Sequence, residues 1–194
     1  MRRVAFAPAA PLLLPGYAGR VDPLPDLRVA CHEAVAWLVL DRPARVLVLG
    51  DGPTDADRAR GVTTGFAERV GSALLAAVGY EGEATFADPA TGPDVDGAPA
   101  VLVLANGSAR RGDEAPGYVD ERAFGVDEVL VKALADGDTA PLAAADPVLG
   151  AELMAAGTSA LNAVAAAAHD VRASLLYEGD PLGVQYWVAT WECG

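Results

Sequence analysis

The chain has 194 residues, of which 52% are hydrophobic and 21% charged, which is the composition of an ordinary globular domain with a substantial core. Its formal net charge of −13 argues against nucleic acid and anionic membranes as partners, because both carry negative charge themselves. The expected partner is therefore an unknown small molecule or protein.

The cysteines and the start of the chain predict a cytoplasmic protein. Cys31 and Cys193 allow at most one disulfide and no disulfide framework. Three prolines interrupt the apolar residues up to Pro15, which breaks the apolar helix that a secretory signal needs. No apolar run reaches the ~18 residues that would span a bilayer.

Strands and helices alternate along the first half of the sequence. Residues 2–7, 45–49 and 83–87 are β-prone, and the second of these is a Val/Leu run typical of a buried parallel strand. Helical spacing of apolar residues predicts a helix from Asp26 that stops before Pro43, and another over residues 67–78. Residues 8–25 and 51–65 are predicted loops, the first rich in proline and the second polar.

The second half continues the alternation. A strand is predicted over residues 100–105, a loop over 106–122 and a helix over 126–135, followed by helices that start at Asp146 and near Ser159. Residues 173–177 and 184–191 are predicted to form a hairpin or paired edge strands. Because no linker or repeat divides the chain, we expect a single-domain α/β fold, a three-layer α/β/α sandwich with a mostly parallel central sheet.

Ligands in such folds bind beyond the carboxyl ends of the strands, which here are the loops after Ala7, Leu49 and Ala105. The loop after Leu49 starts with Gly-Asp-Gly, but the next glycine of a dinucleotide fingerprint is replaced by Asp55. Asp51 is therefore either an acid or metal ligand, or simply a turn residue.

Other polar residues have an ordinary interpretation beside a functional one. Arg110 and Arg111 could clamp a carboxylate or phosphate, although local ion pairing with neighbouring Asp113 and Glu114 is favoured. The two histidines, at positions 32 and 169, are favoured as surface or capping residues and share no metal-ligand spacing. The serines lack the context of a nucleophile elbow, and the tryptophans are expected in a core or an interface.

Four segments carry a family resemblance. They are Ala-Pro-Ala-Ala-Pro-Leu-Leu-Leu-Pro at residues 7–15, Val-Leu-Val-Leu-Gly-Asp-Gly-Pro at 46–53, Asn-Gly-Ser-Ala-Arg-Arg at 106–111 and Gly-Val-Gln-Tyr at 183–186. Together they resemble the class III extradiol ring-cleavage dioxygenases, and most closely the small proteins with a catalytic-subunit-B-like (LigB-like) domain, distant relatives of the Memo proteins. The resemblance spans nearly the whole chain, so residues 1–194 are expected to form one such domain.

The resemblance also implies where an iron site would lie. The family's ligands and its acid/base histidine correspond to Ala9, Asp51, Ala109 and Thr158, and all four positions depart from the family's residues. Ring opening requires Fe(II) held by two imidazoles and a carboxylate, whereas alanine has no lone pair to offer. We therefore expect no cofactor, no metal site and no catalytic residues of that kind.

The leading hypothesis is a degenerate, non-catalytic homologue that keeps a cleft for a small-molecule or protein ligand. Arg110 is the expected anion-binding residue, and the predicted cleft residues are Ala9, Asp51, Asn106, Ser108, Arg110 and Thr158. One alternative is a metal-independent hydrolase or isomerase that uses Asp51, Ser108 and Arg110 and has a raised pKa at Asp51. Residual dioxygenase activity is another. A third is a structural subunit, possibly a homodimer, whose exposed aromatic C-terminal segment packs on a partner.

Overall fold

A six-stranded sheet forms the centre of the computed structural model, which describes residues 2–17 and 21–194. Its strands are β1 (Arg3–Ala7), β2 (Arg45–Leu49), β3 (Glu83–Ala87), β4 (Ala100–Leu104), β5 (Arg172–Gly179) and β6 (Tyr186–Glu192). Their order across the sheet is β3-β2-β4-β1-β6-β5. The first four strands are parallel, and β6 runs antiparallel to both of its neighbours.

Helices cover both faces of this sheet. They are α1 (Pro25–Leu38), α2 (Asp55–Ala59), α3 (Phe66–Ala77), α4 (Arg122–Asp136), α5 (Thr139–Ala143), α6 (Pro147–Glu152) and α7 (Thr158–Ala167). Since successive strand residues face opposite sides, Val48 packs with α1 and α3, while Leu47 and Leu49 pack with α4, α5 and α7. The predicted α/β fold with a mostly parallel sheet is confirmed. Within the described ranges, no helix has the length and apolar character needed to cross a membrane.

The two C-terminal strands pair as predicted, but β6 is not an edge strand. It lies between β1 and β5, and both Trp187 and Trp191 are fully buried. The indole Nε1 of Trp191 donates a hydrogen bond of 2.8 Å to the carbonyl of Leu134 in α4. The expectation of an exposed aromatic C-terminal segment is therefore wrong, because these aromatic side chains fill the core on the α4 side.

Two short helices were not predicted. The helix α2 lies within the predicted loop 51–65, where Thr54 and Asp57 form a reciprocal capping box with two bonds of 3.1 Å. Asp138 caps α5 through a 3.0 Å bond from the amide of Ala140. Five-residue helices are too short for apolar periodicity, so their caps determine them.

Neighbouring parallel strands bring three loops to one edge of the sheet. In the sheet, β4 lies between β1 and β2, so the carboxyl ends of all three strands point the same way. The backbone beyond β4 is fixed there by a two-way bridge between Asn106 and Ala156, with N···O distances of 3.1 and 3.2 Å. This edge is where the sequence predicts ligand binding.

Candidate functional site

A cavity of about 670 Å³ opens where the loops after β1, β2 and β4 meet. The short helix α2, the start of α3, the connection between α6 and α7, and the first residue of β6 complete its wall. Small-molecule sites in proteins typically have volumes of ~300–1,000 Å³ and a mostly apolar lining with a few polar groups. This cavity has that size and that kind of lining.

The structure brings three of the six predicted cleft residues together. Ala9, Asp51 and Asn106 line the cavity, one from each of the three loops. The other three predicted residues are absent from its wall. The three residues that meet each lie two positions beyond the end of a parallel strand, whereas Ser108 and Arg110 lie farther along the loop after β4 and Thr158 lies in α7.

Ser108 is one of the predicted residues that are absent from the wall. Its side chain is fully buried, and its hydroxyl donates to the carbonyl of Leu153 at 2.7 Å and accepts from the amide of Arg110 at 3.0 Å. Thr158 is the first residue of α7, and its hydroxyl would lie 2.4 Å from a Cβ placed on Gly150. Both side chains pack loops together and do not reach the cavity.

Arg110 and Arg111 form ion pairs, but not with the predicted neighbours. Arg110 lies 3.7 Å from Asp120 and donates to the carbonyl of Glu152 at 3.0 Å. Arg111 lies 3.3 Å from both Asp127 and Asp180. Nε of Arg110 has no hydrogen-bond partner within the described ranges, but neither arginine lines the cavity, so the prediction of Arg110 as its anion-binding residue is not supported.

Asp51 lines the cavity and is exposed to solvent. Its Oδ2 accepts a 2.7 Å hydrogen bond from the amide of Gly157, the residue that precedes α7. Although the residue reaches solvent, the surrounding protein partly desolvates its carboxyl group and thereby raises its pKa. The hydrogen bond from Gly157 lowers that pKa, and the negative charge of Asp88 raises it. An acid with a raised pKa in the folded state stabilises the fold when protonated and loses that contribution as pH rises through the folded pKa. The ionised form of Asp51 is thus disfavoured in the folded protein, as is common at functional sites.

Two buried polar residues face the same space. Asn106 is 7% exposed; its Nδ2 donates to the carbonyl of Gly107 at 3.0 Å, while its Oδ1 receives no hydrogen bond from residues 2–17 or 21–194. Tyr186, the first residue of β6, is 6% exposed, and its hydroxyl has no partner within those same ranges. Burial raises the pKa of the Tyr186 phenol. Asn106 was a predicted cleft residue, whereas Tyr186 was not, although it belongs to the 183–186 segment that carries the family resemblance.

The cations at the cavity are Arg60 and Arg69. Arg60 pairs with Asp57 at 2.7 Å. Arg69 is exposed, and its guanidinium carbon lies 5.4 Å from the ring centre of Phe66 and 5.8 Å from that of Tyr17. No carboxylate in the described part of the chain pairs with Arg69. The cavity therefore has an unpaired guanidinium supported by two aromatic rings.

The side chains at this edge do not fit the iron site that the family resemblance implies. Of the four corresponding positions, Ala9 and Asp51 line the cavity, while Ala109 and Thr158 do not. His32 and His169, which would be the only imidazoles, also lie outside its wall. In residues 2–17 and 21–194, no three His, Cys, Asp or Glu side chains are grouped so as to hold a metal. Two imidazoles and a carboxylate are not assembled there.

Comparison with known proteins adds no relative. No family model and no curated protein matches this chain.

Proposed function

We propose that this chain is a small-molecule-binding protein, a non-catalytic relative of the class III extradiol ring-cleavage dioxygenases. One observation carries the proposal: a cavity of about 670 Å³ lies at the carboxyl ends of three parallel strands and is lined from each of their loops by Ala9, Asp51 and Asn106. Open α/β sheets bind their ligands at this position.

The lining suits a compact organic ligand better than it suits the surface of a partner protein. Apolar groups from Val62, Phe66, Met154 and Val184 form much of the wall and provide area for an apolar body. A few polar groups, including Asp51, stand among them and would fix the orientation of the ligand.

The raised pKa of Asp51 also favours a second candidate, an enzyme in which this carboxyl group acts as a general acid or base. The original form of that hypothesis included Ser108 and Arg110, which lie outside the cavity wall. Asp51 would therefore act without them. The test is to assay the wild type and Asp51→Asn with a panel of ester and isomerase substrates. Equal turnover by the two proteins would argue against this candidate.

A fragment screen by protein-observed ¹⁵N NMR tests the binding proposal. We expect hits whose amide shifts cluster on cavity residues such as Gly52, Gly65 and Asn106. The variant Ala9→Phe should fill the cavity and abolish those shifts, whereas Ala36→Phe, on the exposed side of α1, should retain them. A folded protein that shows no clustered shifts, or equal hits in both variants, would contradict the proposal.

A further inference from the structure

Hydrogen bonds to the residues just before α7 hold Asp51 and Asn106 close together at the cavity wall. Asn106 exchanges two bonds with Ala156, and the next amide, that of Gly157, donates to Asp51 Oδ2 at 2.7 Å. The backbone of Asn106 and the side chain of Asp51 are therefore bonded to adjacent residues of one segment. Both line the cavity.

A second pair of bonds brings Tyr186 to the same place. The amide of Gly107 donates to the carbonyl of Gln185, and the amide of Gln185 donates to the carbonyl of Ser108, both at 2.9 Å. Asn106 precedes Gly107, and Tyr186 follows Gln185. Asn106 and Tyr186 therefore lie on either side of these two hydrogen bonds. Asn106 thus stands between Asp51 and Tyr186.

The three side chains offer oxygen atoms that the protein leaves without hydrogen bonds. The Asn106 amide nitrogen is engaged with the Gly107 carbonyl, which directs Oδ1 away from that bond. The Tyr186 hydroxyl and Asp51 Oδ1 likewise have no partner among the described residues. Because these three residues line the cavity and their free oxygen atoms are not sealed in the core, a ligand there can donate hydrogen bonds to them. A protonated amine suits three oxygen acceptors, because it carries three N–H donors and a positive charge.

Arg69 provides the opposite charge nearby. The start of α3 packs on the loop of Asp51, where a Cβ on Gly65 would lie 3.1 Å from the Asp51 carbonyl. Arg69 follows one helical turn later, a rise of about 5.4 Å, and its amide donates to the Gly65 carbonyl at 3.2 Å. Arginine binds carboxylates through two parallel hydrogen bonds. An unpaired cation and an unpaired carboxylate therefore line one small cavity.

We propose that the cavity binds a small zwitterion of the amino-acid class. Its ammonium group would be held by Asp51, Asn106 and Tyr186, its carboxylate by Arg69, and its apolar side chain by the wall around Met154. This inference rests on the proposed function and specifies its ligand.

Isothermal titration calorimetry with matched probes tests this assignment. One set comprises phenylalanine, phenylethylamine and phenylpropionate, and the other comprises leucine with its amine and acid counterparts. We expect an amino acid to bind tightest in at least one set. Asp51→Asn should weaken the amino acid and the amine by roughly tenfold without weakening the acid, and Arg69→Gln should weaken the amino acid by a similar factor while sparing the amine.

The controls are Asp55→Asn and Arg58→Gln, two exposed residues of α2 that lie outside the cavity wall. They should change affinity less than about twofold. An acid that binds as well as its amino acid, or an Asp51→Asn variant with unchanged affinity, would overturn the assignment. If neither set binds while the fragment screen shows cavity shifts, the zwitterion is wrong and the binding function stands. If the fragments fail as well, both are wrong.

Discussion

Replacing Gly157 with alanine is expected to lower the free energy of unfolding by at least about 3 kcal/mol. Gly157 has a φ of +73°, a conformation that costs an L side chain energy by itself. An added Cβ would also lie 2.3 Å from the carbonyl oxygen of Leu104 and 2.7 Å from Cβ of Ala105. Leu104 ends β4 and Ala105 follows it, and both residues are fully buried with little freedom to move.

Urea unfolding measures this loss, and Gly61 provides the matched control. Gly61 has a similar φ of +79°, but a Cβ there would meet nothing within 4 Å. Gly61→Ala should therefore cost only the conformational strain, about 1 kcal/mol. If the two variants lose equal stability, the close approach of Gly157 to β4 is not what requires glycine. Gly157→Ala should also disturb Asp51, whose carboxylate accepts a hydrogen bond from the Gly157 amide.

Replacing Asp127 with alanine is expected to cost about 3–5 kcal/mol, the usual effect of removing one partner of a buried ion pair. Asp127 lies on α4 and is 1% exposed. Its Oδ1 accepts the Ser108 amide at 3.0 Å, and its Oδ2 lies 3.3 Å from Nη1 of Arg111. The variant would leave that amide without a partner and remove one of the two carboxylates beside Arg111.

Two further variants separate this role from a surface charge effect. Asp127→Asn retains an acceptor for Ser108 and should lose less than half as much stability as Asp127→Ala. Asp136→Ala removes an exposed ion pair with Lys132 in the same helix and should cost less than about 0.5 kcal/mol. A loss for Asp127→Ala as small as that for Asp136→Ala would show that the buried carboxylate does not hold this loop.

Asp127 also makes a pH dependence predictable. Burial raises the pKa of its carboxyl group above 3.8 in spite of the Ser108 bond and Arg111, which lower it. The stability that protonation contributes is fully present below pH 3.8 and is lost as pH rises through the folded pKa. Since the Asn side chain does not titrate, Asp127→Asn should gain stability relative to the wild type across this window. Chemical unfolding at a series of pH values measures the difference, and an opposite slope would contradict the direction given for Asp127.

Local sequence predicted the sheet well, because its strands carry a strong apolar signal. The bounds of β2 and β3 are those predicted, and the Val/Leu runs of β2 and β4 pair side by side in the parallel part of the sheet. The short α-helices α2 and α5 were not predicted, because capping hydrogen bonds and not apolar periodicity determine them. The position of β6 inside the sheet depends on long-range pairing with β1, which no local pattern contains.

The candidate site was predictable only as far as strand ends determine it. Asn106 lies two positions beyond the end of β4 and lines the cavity, whereas Ser108, two residues later, is turned inward by its bonds to Leu153 and Asp127. Arg69 and Tyr186 were missed because they come from a helix and an antiparallel strand. Their approach to the loops depends on tertiary contacts between residues far apart in sequence.

The cavity combines a disfavoured charge with polar atoms that are free to bind. Asp51 has a carboxyl group whose ionised form is disfavoured, and Asn106 and Tyr186 have oxygen atoms without partners in the described ranges. Outside the cavity, Ser108 and Asp127 are engaged, although Arg110 Nε, Gln185 Nε2 and Trp187 Nε1 are buried without a hydrogen-bond partner in the described ranges. The oxygen atoms at the cavity differ from these three nitrogens because a ligand can reach them.

The most direct test of a ligand cavity without an iron site is anaerobic loading of the purified protein with Fe(II), followed by desalting, iron analysis and assay with a catechol. The side chains around Asp51 predict iron far below one equivalent and no ring-opened product, because two imidazoles and a carboxylate do not meet there. Retention of one Fe(II) per chain together with ring cleavage would contradict the proposed function.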